Sequence, residues 1–174
     1  MEDLNIKKVI IAAVITLVLL FAGNYLITDY RIDRQLKQEL EELPQIKEVK
    51  ISQEDNYNLN ILLKDVENLQ ELNLKLRKRI KEVLKTDDYK LRLSGVESSN
   101  LKQIYNKINL ALYESLVTGK YTKFGAAVER YQEEYNLKKA EVRVDDDYIY
   151  LTLADNTGAL YKVLTRAKVG ERDG

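Results

Sequence analysis

The chain has 174 residues, balances 28 basic against 28 acidic side chains, and contains neither cysteine nor histidine. Charge balance argues against a dedicated polyanion binder, and without histidine the commonest general base and the commonest zinc and iron ligand are missing. Ser-His, Cys-His and most transition-metal chemistries are excluded by inventory, so the expectation is a non-enzyme with no catalytic residue, no cofactor and no metal site.

Residues 1–8 read as a short polar tail ending in Lys7 and Lys8. From Val9 to Gly23 the chain is uncharged. Continued through Tyr25, Leu26 and Ile27, the apolar run reaches about 19 residues, or roughly 28 Å as a helix. This predicts a transmembrane helix over 9–27, with the lipid bilayer as a partner. An uncleaved anchor is favoured over a signal peptide, because Ala22-Gly23 is followed by another apolar triplet instead of a mature domain. Lys7 and Lys8 nearly tie with Arg31, Arg34 and Lys37 under the positive-inside rule. The two lysines abut the apolar run, so the expected location is the cell membrane, single-pass, with the C-terminal body extracytoplasmic.

Over 28–44, Ile32, Leu36, Leu40 and Leu43 make a narrow apolar stripe at helical spacing, ended at Pro44, the only proline. The stripe either pairs with its own copy or packs on its own domain, and the second reading is favoured. A first α/β module is expected over 45–95. Val49 and Ile51 alternate with Lys50 and Ser52, and Tyr57, Leu59, Ile61 and Leu63 alternate with mostly polar neighbours, which predicts two strands around a turn at Gln53-Glu54-Asp55-Asn56. Asp65 is the expected cap of a helix whose stripe is Leu69, Leu72, Leu76, Ile80 and Val83. Tyr89, Leu91 and Leu93 give a third strand, closed by Ser94-Gly95.

A second module is expected over 98–168, followed by a polar tail over 169–174. Ser98 or Ser99 caps a helix carrying Leu101, Ile104, Tyr105, Ile108, Leu112 and Leu116, which Thr118-Gly119-Lys120 breaks. Thr122 is the expected cap of a helix with Phe124, Ala127, Val128, Tyr131 and Tyr135 on one face. Two strands follow, Ala140-Val142-Val144 and Ile149-Leu151-Leu153, and Leu160, Val163, Leu164 and Ala167 mark a last short helix. Glu48-Val49-Lys50 resembles Glu141-Val142-Arg143, and the Leu59-to-Asp65 pattern resembles that from Ile149 to Asp155. The expected fold class is therefore α+β: a transmembrane helix, a helix-strand-strand-helix-strand module, and a second, duplicated helix-helix-strand-strand-helix half.

Several clusters invite a functional reading. Lys75, Arg77, Lys78, Arg79, Lys81 and Lys85 form the densest positive charge, a face that could meet anionic headgroups or a nucleic-acid backbone. Glu71 and Glu82 temper it, a solvated face is favoured, and nucleic acid is disfavoured as a partner. Asp145-Asp146-Asp147 lacks the further oxygens and the glycine of a calcium loop and reads as a hairpin turn. Thr118 to Thr122 lacks the leading glycine of a phosphate loop and reads as a helix-helix turn. Tyr148 and Tyr150 share the strand face opposite Ile149, Leu151 and Leu153. Either they form an outward contact surface or the strand is covered on both sides, and both readings stand.

The segments LKQELEEL, IKEVKIS, YNLNILLKD, LQELNLKLRKRIKEVL and YKLRLSG run in the order helix-strand-strand-helix-strand. In topology, residues 34–94 resemble the ring-building modules of sporulation and secretion machinery and the BON domain, families of the bacterial envelope. The resemblance implies self-association, or contact with lipid or envelope partners, and carries over no functional residue. The expected function is a single-pass membrane-anchored, non-catalytic assembly module of the bacterial cell envelope, with a second copy or an envelope protein as partner. The alternative is a cytoplasm-facing module contacting anionic lipid or nucleic acid through the basic helix 75–85.

Overall fold

The computed structural model describes residues 6–53 and 55–166, with only the backbone described at helix residues 6–9, 12 and 19–30. The expectations for Glu54, for Ala167 and for the terminal tails before Ile6 and after Arg166 lie outside the described residues. Helix α1 (Ile6–Glu41) runs without a break from the apolar segment into the charged one. Its last turns bury Leu36 and Leu40, and Leu43 follows them into the core.

Strands β1 (Ile46–Gln53) and β2 (Tyr57–Leu63) pair antiparallel with Val49 opposite Ile61. A bulge between Ile46 and Glu48 inserts one residue, which lets Ile46 and Val49 both face inward despite their odd spacing. Helix α2 (Leu69–Leu84) crosses over to β3 (Tyr89–Ser94), which lies parallel to β2. Crossing over through a helix is what a parallel neighbour requires. The cap of α2 is Asn68, whose side chain accepts from the Glu71 amide, so the expected Asp65 cap is displaced by three residues.

The second half holds α3 (Ser99–Thr118), α4 (Tyr121–Glu134), β4 (Lys139–Val144), β5 (Tyr148–Ala154) and β6 (Ala159–Thr165). Ser98 caps α3 by accepting from the Leu101 amide, and Gly119 ends it in the left-handed conformation. Helix α4 begins after Lys120, without a side-chain cap, so Thr122 lies inside it. Strands β4, β5 and β6 form an antiparallel sheet in sequence order.

Sheet two is a wall between two cores. Tyr150, Ala154, Ala159 and Tyr161 join the core built by α1, α2 and the first sheet. Ile149, Leu151, Leu153 and Leu160 join the core under α3 and α4. The layers thus run sheet, helices, sheet, helices.

Four expectations are corrected. The last element is a strand, β6, instead of a helix: Leu160 and Leu164 face one core while Tyr161 and Val163 face the other, so no polar face marks the period. The duplicated plan fails with it, since β2 and β3 are parallel across α2 while β5 and β6 form a hairpin. The membrane-spanning helix over 9–27 is overturned as well. Among the described residues no helix is long and apolar enough to cross a membrane. The single-pass cell-membrane location falls with the span that carried it.

Candidate functional site

The polar centre of the molecule lies where α2 meets β5. Asn73 is fully buried, and its Nδ2 donates to the Tyr150 hydroxyl at 3.3 Å. That hydroxyl donates in turn to Asp145 Oδ2 at 2.7 Å, which Gln70 also approaches at 3.4 Å. The other carboxylate oxygen accepts from the amides of Tyr148 at 2.7 Å and Asp147 at 3.0 Å. One turn along α2, the Arg77 guanidinium lies 4.3 Å from the Tyr148 ring centre and 5.9 Å from that of Tyr89. Asn73 Oδ1 and Arg77 Nε are buried with no hydrogen-bond partner.

Electrostatics keep this cluster in one protonation state. Burial, reinforced by the adjacent Asp145 carboxylate, raises the Tyr150 hydroxyl well above the ordinary tyrosine range. Burial alone would raise Asp145 too, but the Tyr150 hydroxyl and the Tyr148 and Asp147 amides outweigh it and hold the carboxyl below its usual value. Tyr150 therefore stays a neutral donor and Asp145 an ionised acceptor around neutral pH. The arrangement locks the two halves together, and it offers no group poised to exchange a proton near pH 7.

Of the two readings of Tyr148 and Tyr150, the structure has the strand covered on both faces. Tyr150 is 1% exposed and offers nothing to a partner, which corrects its place in the expected contact surface. Tyr148 is half-buried against Arg77. The basic residues separate by role. Lys75, Lys78, Lys81 and Lys85 are exposed, while Arg79 donates to the Glu39 carbonyl at 2.7 Å and Arg77 is held between rings. Lys81 is paired with Asp87 at 2.6 Å, and Lys85 ends α2 in the left-handed conformation. Asp145 opens the hairpin as a capped turn with its carboxylate committed, and among the described residues no group of three or more acidic side chains converges to hold a metal ion.

Apolar surface is the second feature. Ile10, Ile11, Val14, Ile15, Leu17 and Val18 of α1 are between 54% and 60% exposed. On α3, Leu110, Tyr113 and Val117 recur at steps of three and four on the side opposite the buried stripe, and Leu110 is 80% exposed. The outer edge of β1 borders an open groove of about 860 Å³, lined by Asp33, Arg34 and Lys37 of α1 and by Glu48, Val49, Lys50 and Ile51.

No family model, curated protein or solved structure matches the chain.

Two features escaped the sequence reading although a signal existed for each. Asn73 sits beside Leu72 within the apolar arc of α2, and a polar residue there is a sign of a buried partner. Leu110, Tyr113 and Val117 carry helical spacing of their own, hidden behind the stronger stripe of Leu101 to Leu112.

Proposed function

We propose that the chain is a non-catalytic assembly module that associates with further copies of itself, with α1 as its main contact element. The observation that carries this reading is the run of large apolar side chains from Ile10 to Val18, each more than half exposed. Single exposed apolar residues are ordinary, but a contiguous group of this kind marks a surface that a partner covers. The far end of the same helix is fixed to the body by Leu36 and Leu40, so a contact made on the apolar segment is transmitted to the whole fold. The topology of residues 34–94, which resembles ring-building modules, points the same way, as does an inventory without histidine or cysteine.

The test is sedimentation of the full chain beside the variant Ile11→Lys, Val14→Lys, Val18→Lys. The parent chain is expected to sediment as an oligomer and the variant as a folded monomer with the parent's circular-dichroism spectrum, since these side chains lie outside both cores. A parent chain that stays monomeric into the high micromolar range would overturn the reading.

A further inference from the structure

We infer that the outer edge of β1 pairs, antiparallel and about a two-fold axis at Val49, with β1 of a second copy. This names a partner surface for the assembly reading and rests on it only in requiring that copies meet.

An open sheet edge displays unpaired backbone donors and acceptors and is a template for another strand. The two sheets have four edges: β1 and β3 in the first, β4 and β6 in the second. Strand β6 is capped at its start, where the Ala159 amide donates to the Val96 carbonyl at 3.0 Å. Strand β3 exposes Lys90 and Arg92, a like-charged pair that repels its own copy. On β4, the Ala140 amide is taken by the Gln132 side chain at 3.2 Å, and Glu141 is already bridged to both Lys139 and Arg143 within the strand. These edges are protected against self-pairing.

Strand β1 carries its charges in an order that suits pairing with its own copy. Glu48 and Lys50 flank Val49 on the exposed face of the sheet and bridge each other at 3.3 Å in the single chain. In an antiparallel pair centred on Val49, Glu48 of each copy lies opposite Lys50 of the other, so two opposite-charge pairs form by symmetry. Neighbouring registers are penalised. Shifting by one residue one way sets Lys47 against Lys50, and centring on Lys50 or on Glu48 sets that residue against itself. The bulge lies at the start of the strand, and pairing from Glu48 to Gln53 is regular. The groove beside the edge, bounded on one side by Arg34 and Lys37 of α1, leaves the strand open to approach.

The chain contains no cysteine, so paired cysteines read the register directly. Directly opposed residues in an antiparallel pair have Cβ atoms about 4.5–5.5 Å apart, within reach of a disulfide, whereas diagonal ones lie about 7–8 Å apart. Full-length Glu48→Cys and Lys50→Cys chains, mixed and mildly oxidised, are expected to give mainly the mixed disulfide, and each alone little. The Lys50→Glu variant is expected to weaken association through this edge about tenfold, and Glu48→Lys with Lys50→Glu to restore it. Repeating the cross-link in the α1 lysine variant separates the two contacts. An oligomer that sediments as such but gives no mixed disulfide leaves the α1 contact standing and overturns the β1 pairing. Chains that cross-link equally in all combinations, or an edge that takes up only an extended peptide of another protein, overturn it too.

Discussion

The Tyr161 hydroxyl on β6 accepts a hydrogen bond from the backbone amide of Val66, 95 residues earlier in the chain, at 3.0 Å. The same hydroxyl donates to the Lys64 carbonyl at 3.1 Å. One fully buried side chain of the second half thus satisfies one amide and one carbonyl of the loop that leads into α2. Replacing Tyr161 with Phe keeps the ring and strands a buried amide, at a cost of about 1–3 kcal/mol. Urea unfolding should show that loss as a lower midpoint with an unchanged slope.

Asn73 and Tyr150 should behave as a coupled pair. Tyr150→Phe alone removes the donor to Asp145 and the acceptor of Asn73, costing about 1–3 kcal/mol. Asn73→Leu removes a buried amide whose Oδ1 is already without a partner. The double variant should therefore be more stable than the sum of the single effects, with a coupling energy of about 0.5–3 kcal/mol in a double-mutant cycle.

Asp155 links stability to acid pH. Burial alone would raise its carboxyl, but the Ser98 hydroxyl at 2.7 Å, the Thr157 hydroxyl at 2.7 Å and the amides of Thr157 and Gly158 bring it from 3.8 to about 2. Its folded value lies below its unfolded value, so between them the unfolded chain binds the extra proton and stability rises with pH. The contribution is full above the ordinary aspartate range and is lost as pH falls from about 3.8 to about 2. Asp155→Asn should flatten the stability-against-pH curve in that window relative to the parent.

Glycines at the seam between the sheets should resist substitution. A Cβ on Gly158 would run into the Val96 carbonyl oxygen, and one on Gly95 into that of Ala159. These are backbone atoms that cannot swing aside, so Gly158→Ala is expected to cost about 1–3 kcal/mol or more. Gly125, inside α4, has open space around its position, and Gly125→Ala should stabilise by up to about 1 kcal/mol. Thermal unfolding of the two variants should move in opposite directions.

Local pattern was legible wherever one face of an element meets water. Leu69, Leu72, Leu76 and Ile80 mark α2, alternation over Tyr57 to Leu63 marks β2, and Ser98 and Gly119 bracket α3, because each of these elements has a wet side that supplies the period. Strand β6 has cores on both sides, so its near-continuous apolar run carried no alternation and its spacing imitated a helix. The charge-free run before Asn24 was equally visible, yet composition sets how apolar a helix is and leaves open what lies against it. Only the tertiary structure decided that Tyr150 turns inward to Asn73, that Arg77 is spent between two rings while Lys75 and Lys78 stay free of the core, and which sheet edges are closed. Periodicity is a property of neighbours along the chain, whereas these contacts join residues that only the packing of two sheets brings together.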